Sequence, residues 1–215
     1  EPYGDLYGNK FARTDDGQLI LRNGYPYNLP GQHVIGNITP DWTGGILNSV
    51  SFKGVTVSVL IDIKKGGDVY DMGSSLGRQN GVLEESLEGR EEGVIGVGVK
   101  NIGSDESPNF VPNDVVASTR TFMTYYSGRQ YHEAAVMDGS YVKLREASIT
   151  YTLPSRWFEK NFLQSISVSA IGRNLAIFHK NARHIDPEVS SADLGFNSGQ
   201  LPSTRSIGFN VNVKF

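Results

Sequence analysis

The chain has 215 residues, a formal net charge of −3 and no cysteine, and 38% of its residues are hydrophobic. The lack of cysteine excludes disulfides, thiolate metal sites and a cysteine nucleophile. The Lys and Arg residues are scattered and form no basic stripe, so nucleic acid is not an expected partner.

No stretch of the sequence approaches the roughly 18 to 20 consecutive apolar residues of a transmembrane helix. A membrane β-barrel stays possible, because its strands alternate apolar and polar residues and so keep the mean hydropathy low. The first residues, "EPYGDLYGNKF", lack the segments of a signal peptide. We therefore expect either a processed start or a piece of a longer protein.

Alternating or apolar runs predict six antiparallel strands, near residues 3–12, 43–52, 55–64, 141–153, 165–178 and 205–215. Lys53-Gly54 predicts a two-residue hairpin turn between the second and third strands. In that hairpin Phe52 faces Val55, Val50 faces Val57, Asn48 faces Val59 and Ile46 faces Ile61.

One face of these strands is apolar, and the other carries mostly Ser, Thr and Asn. The closing strand shows the pattern clearly, because every second residue from Ile207 to Phe215 is apolar. The alternation slips around Arg145 and around Gly172, which predicts a β-bulge at each place.

The connections differ in length in a regular way. Short links lie at 53–54 and at 154–164, where "PSRWFEKNFL" allows one or two helical turns, whereas long segments run through 13–42, 65–140 and 179–204. On an up-and-down meander all short links fall at one end, as in outer-membrane barrels with short periplasmic turns and long extracellular loops. A soluble β-sandwich binding module, such as an adhesin or carbohydrate binder, shows the same alternation, so the pattern alone leaves both open.

Several motifs occur in a fixed order along the chain: "EPYGDLYGNKFARTDDGQLI", "GNITPDWTGGILNSVSFKGVTVSVLIDIKKGGDVYDMG", "SYVKLRE", "YTLP", "GRNL", "DPEVS" and "RSIGFNVNVKF". In this order they resemble the C-terminal end of SusC/RagA-family outer-membrane proteins, which are TonB-dependent transporters of Bacteroidetes. The resemblance covers most of the chain, with 72–140 the least familiar part.

The resemblance implies a large transmembrane β-barrel in the Gram-negative outer membrane, of which this chain forms about the last six strands. It also implies import of oligosaccharides or peptides without catalysis and without a cofactor. The implied partners are a SusD-like surface lipoprotein, outer-membrane lipid and the TonB complex, which would act through regions outside this chain. A β-rich hydrolase is the last alternative, because no Gly-x-Ser-x-Gly elbow or Ser, His and acid constellation stands out.

Aromatic residues at the predicted periplasmic strand ends are candidates for a membrane girdle. Phe52, Tyr151 and Phe215 lie there on the apolar face, where barrels carry aromatic rings at the interface. Phe215 also matches the C-terminal aromatic that resembles the assembly signal of outer-membrane proteins.

Three tyrosines of the longest external segment, Tyr125, Tyr126 and Tyr131, are candidate contacts to substrate or partner. Exposed aromatic rings beside polar groups stack on sugars or bind peptides. The alternative is that these rings pack the segment against itself or against the capture lipoprotein.

Two arrangements raise the question of a metal ion. His179 and His184 precede Asp186 and Glu188, which are possible imidazole and carboxylate ligands. The segments 14–18 and 64–71 carry carboxylates but lack the full calcium-loop pattern. An ordinary polar loop and Asp/Gly turn chemistry explain these features, so we predict no resident metal.

Overall fold

The computed structural model describes residues 3–128, 131–157, 162–188 and 195–215. The chain divides into two compact units, each described by itself. The first comprises Glu1–Thr39, Asp68–Asp138 and Ser190–Gln200, and the second Pro40–Gly67, Gly139–Val189 and Leu201–Phe215. Within the described ranges, no helix is both long and apolar enough to cross a membrane.

The strands, numbered in chain order, are β1 (Asp5–Phe11), β2 (Ile20–Arg22), β3 (Tyr25–Pro26), β4 (Asn28–Asn37), β5 (Pro40–Phe52), β6 (Val55–Gly66), β7 (Asp68–Asp71), β8 (Val94–Ile95), β9 (Val99–Asn101), β10 (Phe110–Pro112), β11 (Val116–Ala117), β12 (Val136–Asp138), β13 (Tyr141–Thr152), β14 (Ser165–Lys180), β15 (Phe196–Asn197) and β16 (Ser206–Lys214). The helices are α1 (Met72–Gln79) and α2 (Thr119–Tyr125), with 3₁₀ turns at Glu84–Ser86, His132–Ala135 and Ser155–Trp157.

The second unit is built on one five-stranded sheet in the order β5, β6, β13, β14, β16. All neighbouring strands are antiparallel. Because the spatial order follows the chain order, the sheet is an up-and-down meander, which confirms the predicted fold class. Five of the six predicted strands lie in this sheet.

The hairpin between β5 and β6 has the predicted turn and register. Lys53 and Gly54 have φ angles of 46° and 83°, which a two-residue type I′ turn requires. Phe52 pairs with Val55, and the register continues to the pair of Ile46 and Ile61. The prediction for this hairpin is therefore confirmed.

The register aligns similar side chains into rows that cross all five strands. A row of hydroxyl and amide side chains runs through Ser51, Thr56, Thr150, Ser169 and Asn210. The neighbouring row on the other face runs through Val50, Val57, Ile149, Ala170 and Phe209.

The two faces differ in whether their side chains find partners within the sheet. On the polar face, hydroxyls of adjacent strands hydrogen-bond at 2.8 Å in the pairs Ser51–Thr56 and Thr150–Ser169. On the apolar face, Val50 is 64% and Phe209 82% exposed. The sheet therefore bonds its polar groups internally and leaves its apolar side chains uncovered.

Register shifts interrupt the rows at several places, two of them at or near the predicted bulges. Against β6, Leu144 and Glu146 pair with the adjacent residues Ile61 and Leu60, so Arg145 is the extra residue of a bulge on β13, as predicted. On β14 the pairing with Ala147 is regular at Gly172, and the shift lies between residues 173 and 176. Asn174 has a φ of 51°, a conformation that asparagine adopts more readily than most residues. The second bulge thus lies just beyond the predicted place.

The first unit holds shorter strands and a small apolar core. The run predicted near 3–12 forms β1, which pairs with β4 rather than joining the large sheet. The range 13–42 thus contains strands of its own. The core consists of Leu21, Ala117 and Phe122, with four partly buried residues packed against it: Tyr25, Val94, Met123 and Tyr126.

Helices α1 and α2 were not predicted. Asp71 caps α1 by accepting a hydrogen bond from the backbone N–H of Ser74 at 3.2 Å. The residues that α1 buries are small or polar, namely Ser74, Ser75 and Gly77, so no apolar periodicity shows it. The helical turn predicted at 154–163 is the 3₁₀ turn Ser155–Trp157; Phe158 of that segment and Ser190 of "DPEVS" lie outside the described residues.

Candidate functional site

A cluster of charged side chains lies on the polar face of the five-stranded sheet, away from the Lys53-Gly54 turn. Strand β6 supplies Asp62, β13 supplies Lys143 and Arg145, and the segment after β14 supplies Asp186 and Glu188. Alternation places Lys143 opposite Asp62, and the bulge lets Arg145 reach the same side. We call these five residues the ion-pair cluster.

Lys143 is the most buried member, with its side chain 2% exposed. Its Nζ donates to Oδ1 of Asp186 and, at 2.8 Å, to Oε2 of Glu188. It also lies 4.8 Å from the ring centroid of Tyr141. A buried ammonium is tolerated only when it is paired in this way.

Arg145 joins the cluster to both neighbouring strands. Its guanidinium holds Glu188 through two nitrogens, at 2.9 and 2.8 Å, the bidentate geometry that arginine favours. It also donates to Asp62 of β6 and, at 3.1 Å, to the side-chain oxygen of Asn174 on β14.

Asp186 connects the cluster to a second chain segment. Its Oδ1 also accepts from the backbone N–H of Glu188 at 3.2 Å. Its Oδ2 accepts from the hydroxyl of Ser203 and from the backbone N–H of Ser203 at 3.3 Å. The residues around 186–188 and 203 are thereby tied to the sheet.

The pKa values of the two loop carboxyls follow from these contacts. Burial alone raises the pKa of Asp186, but hydrogen bonds from Lys143 and Ser203 outweigh it and lower the pKa below its ordinary value. Burial likewise raises the pKa of Glu188, and the bonds from Arg145 and Lys143 outweigh it to give a net lowering. Both side chains therefore carry charge at neutral pH.

The cluster is arranged to hold chain segments together rather than to perform chemistry. The Lys143 and Arg145 side chains occupy oxygens of Asp186 and Glu188 that a metal would need. Nε2 of His179 lies 2.9 Å from Oδ1 of Asn181. Among the described residues, no group of three or more His, Asp or Glu side chains is placed to hold a metal ion.

The three predicted tyrosines lie together in the first unit. Tyr131 is 7% exposed, stacks on Phe11 with centroids 4.9 Å apart, and donates its hydroxyl to the carbonyl oxygen of Pro26 at 3.1 Å. Tyr126 packs against Phe11 at 5.3 Å. Burial raises the pKa of both Tyr126 and Tyr131.

Tyr125 completes this aromatic group. Its ring stacks on Tyr25 at 5.2 Å and lies 5.4 Å from Tyr131. The three rings thus pack against one another or against Phe11 and Tyr25 of the same unit. Tyr125 and Tyr126 are half-buried. Contact of the three tyrosines with a substrate or partner stays a prediction.

The three predicted girdle residues lie at the turn end of the sheet. Phe52 and Tyr151 both pair with Val55. Phe215 follows the end of β16 and stacks on Phe162 with centroids 5.7 Å apart. Phe52 and Phe215 are 69% and 71% exposed. Their placement fits a girdle, and their contact with a membrane stays a prediction.

The sequence did not predict the ion-pair cluster, although most of its residues lie in motifs described above. Four of the five belong to "SYVKLRE" and "DPEVS", two motifs that carry the family resemblance, and Asp62 belongs to the longer motif that contains the Lys53-Gly54 hairpin. The usable signal was a Lys and an Arg on a strand whose polar face otherwise carries mainly hydroxyls.

Known proteins similar to this chain are receptors and importers. TonB-dependent receptor P3 of Formosa agariphila is 27% identical over 224 aligned positions, which cover 100% of this chain and 19% of that receptor. TonB-dependent receptor P26 of the same organism is 24% identical over 190 positions, which cover 85% of this chain and 18% of that receptor. No family model matches the chain.

Solved structures of the RagAB peptide importer share the fold. Its closed-closed state aligns with a TM-score of 0.62 at 17% identity, covering 98% of this chain and 23% of that chain. Its open-open state gives 0.62 at 18% identity, covering 98% and 22%. This chain therefore spans about a fifth of the length of these relatives.

The open meander with one apolar and one polar face shares the fold of a segment of the RagAB peptide importer. In particular, the predicted resemblance to SusC/RagA-family transporters is confirmed, since the chain is similar along its whole length to TonB-dependent receptors and shares the fold of the RagAB importer. These relatives are transporters or receptors, not enzymes.

Proposed function

We propose that this chain supplies five strands to an outer-membrane, TonB-dependent importer. The observation that carries the proposal is the two-faced sheet, with apolar rows exposed on one face and hydroxyl rows and the ion-pair cluster on the other. The apolar rows then contact lipid, and the polar face lines the barrel interior. A soluble sandwich would instead bury the apolar rows between two sheets.

The proposal includes an orientation. The Lys53-Gly54 turn and the link at 154–164 lie on the periplasmic side, and the segments 13–42, 65–140 and 179–204 lie outside. Phe52, Tyr151 and Phe215 then sit at the periplasmic interface as the aromatic girdle. Their position at one end of one face supports this orientation.

The proposed partners act at the two ends of the barrel. A SusD-like surface lipoprotein captures the substrate outside, and the TonB complex supplies energy from the periplasmic side through regions beyond this chain. The likeness to a peptide importer supports a peptide as substrate, with an oligosaccharide as the other choice.

Cell fractionation of the intact gene product tests the location. We expect the protein in the outer-membrane fraction, with a gel mobility that changes on heating, because folded barrels resist dodecyl sulfate. A water-soluble, monodisperse product would contradict the proposal.

Uptake measurements test the activity. Deletion of tonB, and separately of a neighbouring lipoprotein gene, should each abolish uptake of labelled peptides or oligosaccharides without removing the barrel from the membrane. Uptake that is unchanged in the tonB deletion would refute energised import.

A further inference from the structure

A cavity of about 440 Å³ lies beside the ion-pair cluster in the second unit. Residues of β13 and β14 line it together with residues around 184–186 and 202–205. The lining residues that carry the argument are Lys143, Ile177, Lys180, Asp186, Pro202 and Arg205. The volume falls in the range of small-molecule sites, about 300–1,000 Å³.

The charges in this cavity do not balance. Lys143 and Asp186 neutralise each other. The Nζ of Lys180 donates to the carbonyl oxygen of Ile185 at 2.8 Å, which is a neutral acceptor. Arg205 forms no hydrogen bond or ion pair with the part of the chain that the structure describes. Lys180 and Arg205 therefore face the cavity without an ion pair to any carboxylate that lines it. The remaining carboxylate beside the cavity, Glu188, does not line it and is bonded to Lys143 and Arg145.

The side chains of Arg205 and Lys180 favour an oxyanion as ligand. A guanidinium presents a planar fork that matches a carboxylate, and an ammonium with one donor in use has two left. Ile177 and Pro202 add apolar wall that can face the carbon skeleton of a ligand.

We infer that the cavity binds a carboxylate-bearing ligand, with Arg205 and Lys180 as its charged contacts. This deepens the proposed function, on which it rests for the step from binding to transport, by naming acidic substrates. The carboxylate can belong to a uronic acid or to the C-terminus of a peptide.

Calorimetric titration of the intact protein in detergent tests the inference with two pairs of probes. Glucuronate is compared with glucose, and N-acetylalanine with N-acetylalanine amide. We expect at least one charged probe to bind roughly tenfold or more tightly than its neutral match, as expected for a charged hydrogen bond. Glucuronate alone would indicate a sugar acid, and N-acetylalanine alone a peptide terminus.

Variants locate the binding to the cavity. Arg205→Gln and Lys180→Met should each weaken the charged probe roughly 10- to 100-fold, and Arg205→Lys should weaken it less. Arg183→Gln is the matched control, because Arg183 is an exposed residue of the same loop region and does not line the cavity. Heat-modifiable mobility checks that each variant is folded.

Three outcomes would overturn the inference: no binding of any probe, equal binding of charged and neutral probes, or equal weakening by the Arg205 and Arg183 variants. These failures are separable from failure of the proposed function. A protein that fractionates with the outer membrane and still imports in a TonB-dependent way, but binds no carboxylate, refutes the cavity assignment alone.

Discussion

Arginine in place of Val59 puts a charge on the apolar face at the depth of the bilayer centre. Val59 lies four residues along β6 from Val55, which pairs with Phe52 and Tyr151 in the proposed girdle. With a rise of ~3.3 Å per residue and a tilt of ~40°, each residue adds ~2.5 Å of depth, so Val59 lies ~10 Å from the girdle. The midplane of an apolar band ~25 Å tall lies at ~12.5 Å.

At that depth a lipid-facing arginine destabilises a barrel by about 2–4 kcal/mol. Val57→Arg, two residues nearer the girdle, should cost less, because the penalty falls to about 0–1 kcal/mol at the interface. The measurement is the denaturant dependence of folding of the full-length protein in lipid vesicles, with heat-modifiable mobility as the readout of the folded fraction.

Ser58→Arg is the matched control, since Ser58 adjoins Val59 on the opposite face and contacts Ser49 through its hydroxyl at 2.8 Å. We expect it to cost no more than that hydrogen bond, about 0.5–1.5 kcal/mol. Equal destabilisation by the Ser58 and Val59 variants would refute the assignment of the two faces.

Three further predictions concern the cluster and the turn. Lys143→Met leaves Asp186 buried without its cation, so we expect the stability to fall by about 3–5 kcal/mol, measured as faster amide exchange around 186–188. The added change Asp186→Leu should restore part of this stability. Unchanged exchange in Lys143→Met would contradict the prediction. Because the pKa values of Asp186 and Glu188 are lowered in the folded state, the stabilisation from these two carboxylates is complete at neutral pH and is lost as the pH falls below about 4. Amide exchange around 186–188, corrected for its intrinsic rate, should become faster below that pH. A rate that does not change with pH would count against the ion pairs. Gly54→Ala should lower the stability by about 1–2 kcal/mol in the same vesicle assay because of its φ of 83°, and by more because the new Cβ would lie 2.9 Å from a carbonyl oxygen. Gly17→Ala, at φ 87° with no atom within 4 Å, measures the cost of the backbone conformation alone. Equal losses in the two variants would show that the contact with the carbonyl oxygen adds nothing.

The sequence by itself determined the features that depend on neighbouring residues. Period-two alternation is a local property, so the two faces of the sheet could be read directly from the chain. The Lys53-Gly54 turn fixed the register of its hairpin, because a two-residue turn leaves one pairing. Arg145 broke the alternation, and that break located its bulge.

The tertiary structure decided what depends on residues far apart in the chain. No residue near Lys143 in the sequence indicates that it pairs with Asp186. The two residues are 43 positions apart and come together only when β13 and β14 pair. Helix α1 was hidden because it buries small polar residues. The sequence around Tyr131 predicts an exposed ring, yet the ring stacks on Phe11 and is buried. In each case the deciding free energy comes from contacts that no local pattern encodes.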